Sequence, residues 1–307
     1  MRVALIGAGH MGRYHAQKLP RLPGVELVAA VDADLARAQA LGVAAFTDYR
    51  AIFGKADAAV IAVPTDRHYE IARDCLQHGL HLLIEKPIAT SLAQADELIA
   101  LAEARKLVLQ SGHVERYNRA FAALTARMDR AVFIEAERLA GFKTRGAEVD
   151  VILDLMIHDL DLAAALARAE PVAVSACGFR VLTRDIDIAN ARIEFANGCV
   201  ANLSASRVSQ APVRKLRVFQ PGVYVSADLQ AGKLRYVRED AGVIAETEET
   251  YQGGDALAEQ AAAFAAAVAG RERVRIDGRE GRRALELALT VGRLVRERLE
   301  KFTTMSA

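Results

Sequence analysis

The amino-acid sequence predicts an α/β protein of two domains, the first of which contains a doubly wound parallel sheet. One observation is the length, because 307 residues are many for a single hydrophobic core. Another is the alternation of short apolar strand-like runs with helix-like runs over the first third of the chain, which is typical of parallel strands joined by helices. The third is a series of strand-like runs after residue 188. We predict a first domain at residues 1–117 and a second at residues 118–307.

The composition is that of an ordinary globular protein. Apolar residues make up 52% and charged residues 26%, and the net charge is +1, so no global positive field is available for nucleic acid or anionic lipid. No uncharged apolar run approaches the ~20 residues that span a bilayer, and no signal-peptide pattern precedes the first strand-like run. The odd number and wide spacing of Cys75, Cys177 and Cys199 fit neither a disulfide framework nor a zinc site. We therefore expect a cytoplasmic protein that binds no nucleic acid, membrane or metal.

The stretch "VALIGAGHMG" is a β-branched, strand-like run that leads into a glycine-rich turn and then into a helix-like run. This is the setting of the dinucleotide-binding fingerprint of a Rossmann domain, G-x-G-x-x-G. The first glycine permits the tight turn, the second allows the backbone to approach a pyrophosphate, and the third permits close packing of helix on strand. The pyrophosphate then binds at the N-terminus of the helix. The predicted cofactor residues of this turn are Gly7, Gly9, His10, Met11 and Gly12.

Asp32 ends the second strand-like run, "VELVAAVD", twenty residues after Gly12. At this position a carboxylate would hydrogen-bond the ribose hydroxyls of the cofactor and repel a 2′-phosphate. No arginine follows Asp32 immediately. We therefore predict NAD rather than NADP as the cofactor.

Further strand and helix units follow, and ligands of such sheets bind beyond the carboxyl ends of the strands. The runs "AAVIAVPT" and "HLLIEKP" end at this edge. The residues that we assign to the cofactor crevice on this ground are Val63, Pro64, Thr65, His68, Glu85, Lys86 and Pro87. Five histidines of the predicted first domain are interpreted as cofactor-loop or surface residues: His10, His15, His68, His78 and His81.

The stretch "VDVILDLMIHDLDL" places charged residues among apolar ones. With the 100° step of an α-helix, Asp150, Asp154, His158 and Asp161 fall in one narrow sector of a helix that is otherwise apolar. A buried charge without a partner costs several kcal/mol, so this polar stripe must face a polar cleft, a ligand or a basic neighbour. Asp159 lies nearly opposite the stripe, and the sequence assigns it no role.

Three motifs in order, "GAGHMG", "IEKPIA" and "DLMIHDLD", make the chain resemble the Gfo/Idh/MocA oxidoreductases, the family of glucose-fructose oxidoreductase and inositol dehydrogenase. The resemblance spans nearly the whole chain. It implies an N-terminal Rossmann domain and a C-terminal α/β domain with a large, open-faced, mostly antiparallel sheet. It also implies that Asp154, His158 and Asp161 match the family's catalytic Asp-x-x-x-His-x-x-Asp motif, with the polar stripe facing the nicotinamide and the sugar across the domain cleft.

The reaction that this resemblance implies is oxidation of a secondary alcohol, in which a hydride leaves carbon and a proton leaves oxygen. Histidine titrates near neutral pH, so His158 suits the role of base. Asp154, one helical turn earlier, would orient the imidazole or hold a neighbouring hydroxyl. Lys86 would polarise the oxygen and stabilise its developing negative charge. Whether Lys86 or His158 takes the proton stays open, since members of the family differ.

Two longer stretches, "SGHVERYNRAF" and "RLAGFKTRGAEVDVILDLMIHDLDL", are similar to the branch of the family that oxidises the 3-hydroxyl of UDP-N-acetylglucosamine. In that branch a downstream aminotransferase converts the 3-keto product into a 2,3-diamino sugar for the lipid A of lipopolysaccharide. Basic side chains near the predicted domain junction suit the diphosphate of such a nucleotide sugar, and solvated surface charges are the alternative. The predicted substrate residues are Lys86, Arg116, Tyr117, Asn118, Lys143, Arg145, Asp154 and His158.

The C-terminal strand-like runs include "ANARIEFANGCVANLSASRV", in which Asn197-Gly198 predicts a hairpin turn. A broad sheet with one face uncovered by helices would expose apolar surface, so we expect a homo-oligomer, a dimer or a tetramer, formed through that face. Two alternatives stay open: a dehydrogenase of another sugar, a sugar phosphate or an inositol, and a non-catalytic NAD-dependent sensor. The sensor would have no need of Lys86, Asp154 and His158.

Overall fold

The computed structural model describes residues 1–142, 149–251 and 253–305, and the chain divides into two compact units. The first unit comprises Met1–Val114 and Asp255–Leu285, and the second comprises Glu115–Gly254 and Glu286–Ala307. The prediction of two continuous domains, 1–117 and 118–307, is therefore wrong for residues 255–285, which belong to the first unit.

The first unit contains a six-stranded parallel sheet. Its strands are β1 (Arg2–Ile6), β2 (Glu26–Val31), β3 (Ala44–Phe46), β4 (Ala58–Ile61), β5 (His81–Glu85) and β6 (Leu109–Gly112). Its connecting helices are α1 (His10–Lys18), α2 (Leu35–Gln39), α3 (His68–Gln77) and α4 (Leu92–Ala104). The strand order is β3-β2-β1-β4-β5-β6, and all of these pairs are parallel. The order reverses between β1 and β4, where doubly wound sheets bind their ligands, so the predicted Rossmann sheet is confirmed.

The second unit contains an eight-stranded sheet. Its helices and strands are α5 (Arg119–Arg127), β7 (Phe133–Leu139), α6 (Ile157–Ala167), β8 (Pro171–Phe179), β9 (Ile188–Phe195), β10 (Val200–Ser206), β11 (Val213–Gln220), β12 (Val223–Asp228), β13 (Lys233–Asp240) and β14 (Val243–Thr250). The strand order is β14-β13-β12-β11-β7-β10-β9-β8; β10 runs parallel to β7, and the other pairs are antiparallel. The predicted hairpin is present, since β9 pairs with β10 and Gly198 has a φ of +84°. The mostly antiparallel sheet is confirmed.

Two further helices close the chain, α7 (Ala256–Val268) and α8 (Gly278–Met305). Ala261 and Phe264 of α7 are fully buried in the same core as Val3, Leu5 and Leu83 of the parallel sheet. Burial of this apolar face explains why α7 belongs to the first unit. Within the described part of the chain, no helix combines the length and the apolar character needed to cross a membrane.

The open face of the eight-stranded sheet is less apolar than the sequence predicts. Along β9 every second side chain is buried and the others are exposed, so one face is covered and the other is open. On the open face, Arg217 lies 3.3 Å from Glu135 and 3.7 Å from Glu137 on the neighbouring strand. The open face of these two strands is therefore mixed and not purely apolar, because cross-strand ion pairs lie beside Phe133 and Phe219.

Candidate active site

Two glycines of the turn after β1 are required by packing. The φ of Gly7 is +100°, and its N–H donates to the carbonyl oxygen of Val31 over 2.7 Å. A Cβ on Gly7 would lie 2.5 Å from the carbonyl oxygen of Ala62, and one on Gly12 would lie 1.8 Å from the carbonyl oxygen of Gly7. Neither position has room for a side chain, so β1 and α1 approach as closely as the fingerprint requires.

Gly9 is glycine for a different reason. A Cβ at this position would meet no atom within 4 Å, so the packing of the protein does not demand glycine here. Gly9 is also the N-cap of α1 and provides no side-chain cap. Open space beside the N–H groups of a helix start fits the close approach of a pyrophosphate. His10 and Met11 follow in the first turn of the helix.

Asp32 lies beside the glycine turn and is held there by backbone groups. Its Oδ2 accepts a hydrogen bond from the N–H of Ala8 over 2.8 Å, and its Oδ1 accepts one from the N–H of Asp34 over 2.9 Å. Arg37 pairs with Asp34 over 3.3 Å, so this guanidinium already has an anionic partner. A fixed carboxylate next to the turn suits the ribose hydroxyls of NAD.

The loops after β4 and β5 carry the other predicted cofactor residues of this unit. Val63, Pro64 and Thr65 follow β4, and the half-buried Lys86 follows β5. The imidazole Nε2 of His15 lies 2.7 Å from Oε1 of Glu85, and both residues are buried. Burial raises the pKa of Glu85, but the hydrogen bond and charge of His15 outweigh it and hold that pKa below its usual value. The interpretation of His15 as a loop or surface residue is wrong, because its ring is fully buried on the inner side of α1.

His68 is also buried, with 1% of its surface exposed. Its Nδ1 lies 2.8 Å from the carbonyl oxygen of Pro87, and its Nε2 lies 2.9 Å from the carbonyl oxygen of Val63. Both ring nitrogens therefore face the backbone of the two loops. The prediction that His68 binds the cofactor is not supported, because its polar atoms face protein carbonyls. By contrast, His10 and His78 are exposed and His81 is half-buried.

The segment that carries Asp154 is a π-helix, Ile152–Met156, which continues directly into α6. A π-helix has i→i+5 hydrogen bonds and a wider turn than an α-helix, so the 100° step assumed from the sequence does not hold through this segment. Asp154 and His158 are half-buried. π-Helical turns are frequent at functional sites, which agrees with the predicted role of this helix.

The other two members of the polar stripe have basic neighbours in the second unit. Oδ1 of Asp150 accepts a hydrogen bond from the N–H of Leu153 over 2.9 Å, and Oδ2 lies 3.2 Å from Nη1 of Arg296. Oδ2 of the buried Asp161 lies 3.9 Å from Nε of Arg116. At both of these positions the carboxylate therefore faces a basic neighbour, as the structural alternative for the stripe requires.

Asp159, which the sequence left without a role, is paired with Arg138 of β7. Nε and Nη2 of Arg138 lie 3.0 and 2.8 Å from the two carboxylate oxygens. Nη1 of Arg138 reaches Oε1 of Glu115 over 2.9 Å, and Nη1 of Arg214 reaches the same oxygen over 3.1 Å. Sequence reasoning missed Arg138. A signal existed, since β7 alternates strictly and Arg138 occupies an inward position.

The remaining predicted substrate residues differ in their surroundings. Tyr117 is buried. Asn118 caps α5, because its Oδ1 accepts from the N–H of Ala120 over 3.0 Å, and its Nδ2 donates to the carbonyl oxygen of Leu229 over 2.9 Å. Both ends of this amide are engaged by the protein, which does not support a role in substrate binding. The other two predicted residues, Lys143 and Arg145, lie outside the described residues.

Comparison with known proteins identifies the family. Residues 1–113 match the model described as the oxidoreductase family with an NAD-binding Rossmann fold, and residues 123–226 match the GFO/IDH/MocA C-terminal domain. The chain is 40% identical over 300 residues to the UDP-N-acetylglucosamine 3-dehydrogenase of Acidithiobacillus ferrooxidans, which covers 95% of this chain and 96% of that protein. The chain belongs to the Gfo/Idh/MocA family.

Other members of the Gfo/Idh/MocA family extend the comparison. A solved structure of the A. ferrooxidans enzyme matches with a TM-score of 0.91 over 96% of this chain and 97% of that one. The scyllo-inositol 2-dehydrogenase (NAD(+)) of Bacillus subtilis is 29% identical over 233 residues, 68% of each chain. The resemblance predicted from three motifs is confirmed, and the protein is an oxidoreductase with an NAD-binding Rossmann domain.

Proposed function

We propose that this protein oxidises the 3-hydroxyl of UDP-N-acetylglucosamine to a ketone with NAD. One observation carries the proposal. The chain is 40% identical, over nearly its whole length, to an enzyme of that name, whereas the similarity to the B. subtilis inositol enzyme is 29% over about two thirds.

The residues of the first unit fit NAD as the cofactor. Gly7, Gly9 and Gly12 shape the pyrophosphate turn, and Asp32 supplies the carboxylate for the ribose. NAD, when bound, accepts the hydride that leaves the carbinol carbon. Preference for NAD over NADP is part of the proposal, and binding constants for both cofactors would test it.

The protein's own side chains must remove the hydroxyl proton. We assign His158 as the base that accepts the hydroxyl proton and Lys86 as the group that stabilises negative charge on the same oxygen. The alternative, in which Lys86 accepts the proton, stays open. Asp154, on the π-helix that leads into His158, holds the imidazole or a neighbouring hydroxyl of the sugar. Arg116, Lys143 and Arg145 are proposed to bind the diphosphate.

A 3-keto nucleotide sugar is a substrate for transamination, so we propose a downstream aminotransferase as the enzyme that consumes the product. This places the reaction in the synthesis of a 2,3-diamino sugar for lipid A. NAD and nucleotide sugars are both available in the cytoplasm, which is the proposed location.

We also propose that the protein forms a homo-oligomer, a dimer or a tetramer, through the open face of the eight-stranded sheet. Supporting this, Phe133, Phe219 and Tyr224 form an aromatic group on that face, beside the ion pairs of Arg217. Aromatic and arginine side chains are enriched at interfaces. Light scattering of the wild type and of Arg217→Glu tests this, since a reversed charge within the proposed interface should dissociate the assembly.

The substrate proposal is tested by following NADH formation with a panel of UDP-sugars, sugar phosphates, free N-acetylglucosamine and inositols. The expected result is the highest kcat/KM with UDP-N-acetylglucosamine, and borodeuteride reduction of the product should place deuterium at C3. A higher kcat/KM with an inositol would refute the nucleotide-sugar assignment. NAD binding without turnover of any compound would favour the non-catalytic sensor.

A further inference from the structure

Lys86 lies between two residues that buried histidines contact. The residue before it, Glu85, is 2.7 Å from Nε2 of His15. The carbonyl oxygen of the residue after it, Pro87, is 2.8 Å from Nδ1 of His68. The two histidines are 0% and 1% exposed, and the proposed chemistry gives neither of them a role. All of these residues belong to the first unit.

The contact between His15 and Glu85 depends on close packing around the end of β5. His15 lies on α1, three residues after Gly12, where helix and strand approach without an intervening side chain. On β6, a Cβ at Gly112 would lie 2.8 Å from Cα of Glu85 and 3.0 Å from its Oε2. The missing side chain of Gly112 therefore leaves space for the carboxylate of Glu85. The pKa of Glu85 is lowered, which keeps this buried carboxylate ionised beside the cationic Lys86.

The second contact joins two loops. His68 begins α3, and its ring lies between the carbonyl oxygens of Val63 after β4 and Pro87 after β5. Burial lowers the pKa of His68, so the ring is neutral and carries a single N–H. This N–H can donate to only one of the two carbonyl oxygens. In the Nδ1–H form it donates to Pro87, directly after Lys86, and the other ring nitrogen packs against the loop after β4.

We propose that His15 and His68 are positioning residues for Lys86: they hold the backbone on both sides of it so that its ammonium group reaches the reacting oxygen. The inference rests on the proposed function for the catalytic role of Lys86. Lysine has a flexible four-carbon stem, so the placement of its Cα limits where the charge goes. A displacement of about 1 Å at a reacting group costs about a hundredfold in rate.

The test compares substitutions of His15 and His68 that either remove the hydrogen-bond donor of the ring or keep one donor in its place. His15→Leu and His68→Leu remove the hydrogen-bonding nitrogens of each ring and should lower kcat about ten- to a hundredfold. In His15→Leu, KM and the Kd for NAD should stay within about twofold of the wild type. His15→Gln keeps a donor at the place of Nε2 and should restore most of kcat. His68→Asn keeps a donor toward Pro87 and should be more active than His68→Gln, which keeps one toward Val63.

The matched control is His81→Asn at the opposite end of β5. There Nδ1 of His81 accepts a hydrogen bond from the N–H of Val108 over 2.9 Å, and the asparagine keeps an acceptor. This variant should match the wild type in kcat. If a leucine variant fails to fold, the comparison of His68→Asn with His68→Gln decides, and equal kcat for these two overturns the proposal.

A second readout does not depend on the substrate. Lysines are labelled by reductive methylation with ¹³C-formaldehyde, and the Lys86 signal is assigned by its loss in Lys86→Arg. The Lys86 signal should shift or broaden in both leucine variants and match the wild type in His15→Gln and His68→Asn. An unchanged Lys86 signal in both leucine variants overturns the proposal. A wild-type enzyme that oxidises no nucleotide sugar, with a Lys86 signal that moves as described, refutes the proposed function and supports the positioning role.

Discussion

Arg138 and Asp159 form a two-point ion pair inside the second unit, with N–O distances of 3.0 and 2.8 Å. Their side chains are only 5% and 6% exposed. Asp159 is the neighbour of His158 in α6, and Arg138 lies on β7. The pair therefore joins the helix that carries the proposed base to the sheet beneath it, and Glu115 neutralises the remaining face of the guanidinium.

The first prediction concerns this pair. Asp159→Asn should lower the free energy of unfolding by about 3–5 kcal/mol, because it leaves the buried Arg138 without its full counter-charge. Urea unfolding of the wild type and the variant measures the difference. Glu246→Gln is the control, since Glu246 pairs with Arg235 over 2.6 Å at the surface and should matter far less. Equal losses in the two variants would contradict the prediction.

The second prediction separates two glycines of one turn. Gly12→Ala should destabilise the first unit strongly, because its Cβ would lie 1.8 Å from the carbonyl oxygen of Gly7. Gly9→Ala should leave the melting temperature unchanged, because its Cβ would meet no protein atom within 4 Å. The same methyl group should weaken NAD binding if a pyrophosphate approaches this backbone. Thermal melts and NAD titrations check both; tight NAD binding by Gly9→Ala would place the pyrophosphate elsewhere.

Local signals explain why the parallel sheet, the glycine turn and the hairpin at Asn197-Gly198 could be predicted. Each depends on a few consecutive residues whose backbone conformation or burial is restricted. The partner of Asp159 could not be predicted in the same way. Arg138 is 21 residues away on a different element, and the period of β7 shows only that it points inward. Ion pairs of this kind depend on tertiary packing.

The other departures have similar causes. A π-helix at 152–156 keeps the apolar composition of an α-helix, so a pattern of residue types does not reveal the wider turn. The alanine-rich run of α7 does not reveal which sheet it packs on, and only the structure shows that Phe264 lies in the core of the first. The burial of His15 could not be predicted from local sequence, because its partner, Glu85, lies 70 residues away.

The third prediction concerns pH. Burial raises the pKa of Asp187, but hydrogen bonds from Thr183 and from the N–H groups of Val181 and Leu182 outweigh it and lower the pKa to about 2. The unfolded pKa is about 3.9, so the ionised carboxylate contributes about 2.6 kcal/mol of stability. Because the folded pKa is depressed, this stability is complete above about pH 4 and is lost as the pH falls toward 2.

Asp187→Asn should therefore lower the free energy of unfolding at about pH 6 and lower it less at about pH 3. Asp185→Asn is the control, since among the described hydrogen bonds of this loop Asp185 contributes only backbone atoms. Urea unfolding at both pH values measures the difference. A loss of the same size at both would show that the carboxylate acts through packing and not through its charge.

The fourth prediction concerns the chemistry. Lys86→Ala and His158→Ala should each lower kcat about a hundred- to ten-thousandfold, the usual scale of general acid–base catalysis, while NAD binding survives. The controls are Lys55→Ala and His78→Ala. In the wild type the ammonium of Lys55 lies over the ring of Phe46, and the ring of His78 stacks on Phe53. The variant whose residual kcat/KM no longer rises with pH is the one that lacks the base. Loss of NAD binding in both site variants would indicate structural roles.

The last prediction concerns the part of the substrate remote from the reacting hydroxyl. In the proposed complex, a nucleotide sugar would present its diphosphate to basic side chains and its pyranose ring to Asp154 and His158, so that the diphosphate contacts hold the ring in register. Free N-acetylglucosamine should then be a very poor substrate. Arg145→Ala should raise KM for UDP-N-acetylglucosamine about ten- to a hundredfold, the scale of one lost charge-assisted hydrogen bond, with kcat little changed. Arg130→Ala, at an exposed arginine that donates to the carbonyl oxygen of Asn197, is the control. If free sugars or inositols turn over as well as the UDP-sugar, the diphosphate contributes nothing, and the nucleotide assignment is wrong although the dehydrogenase assignment stands.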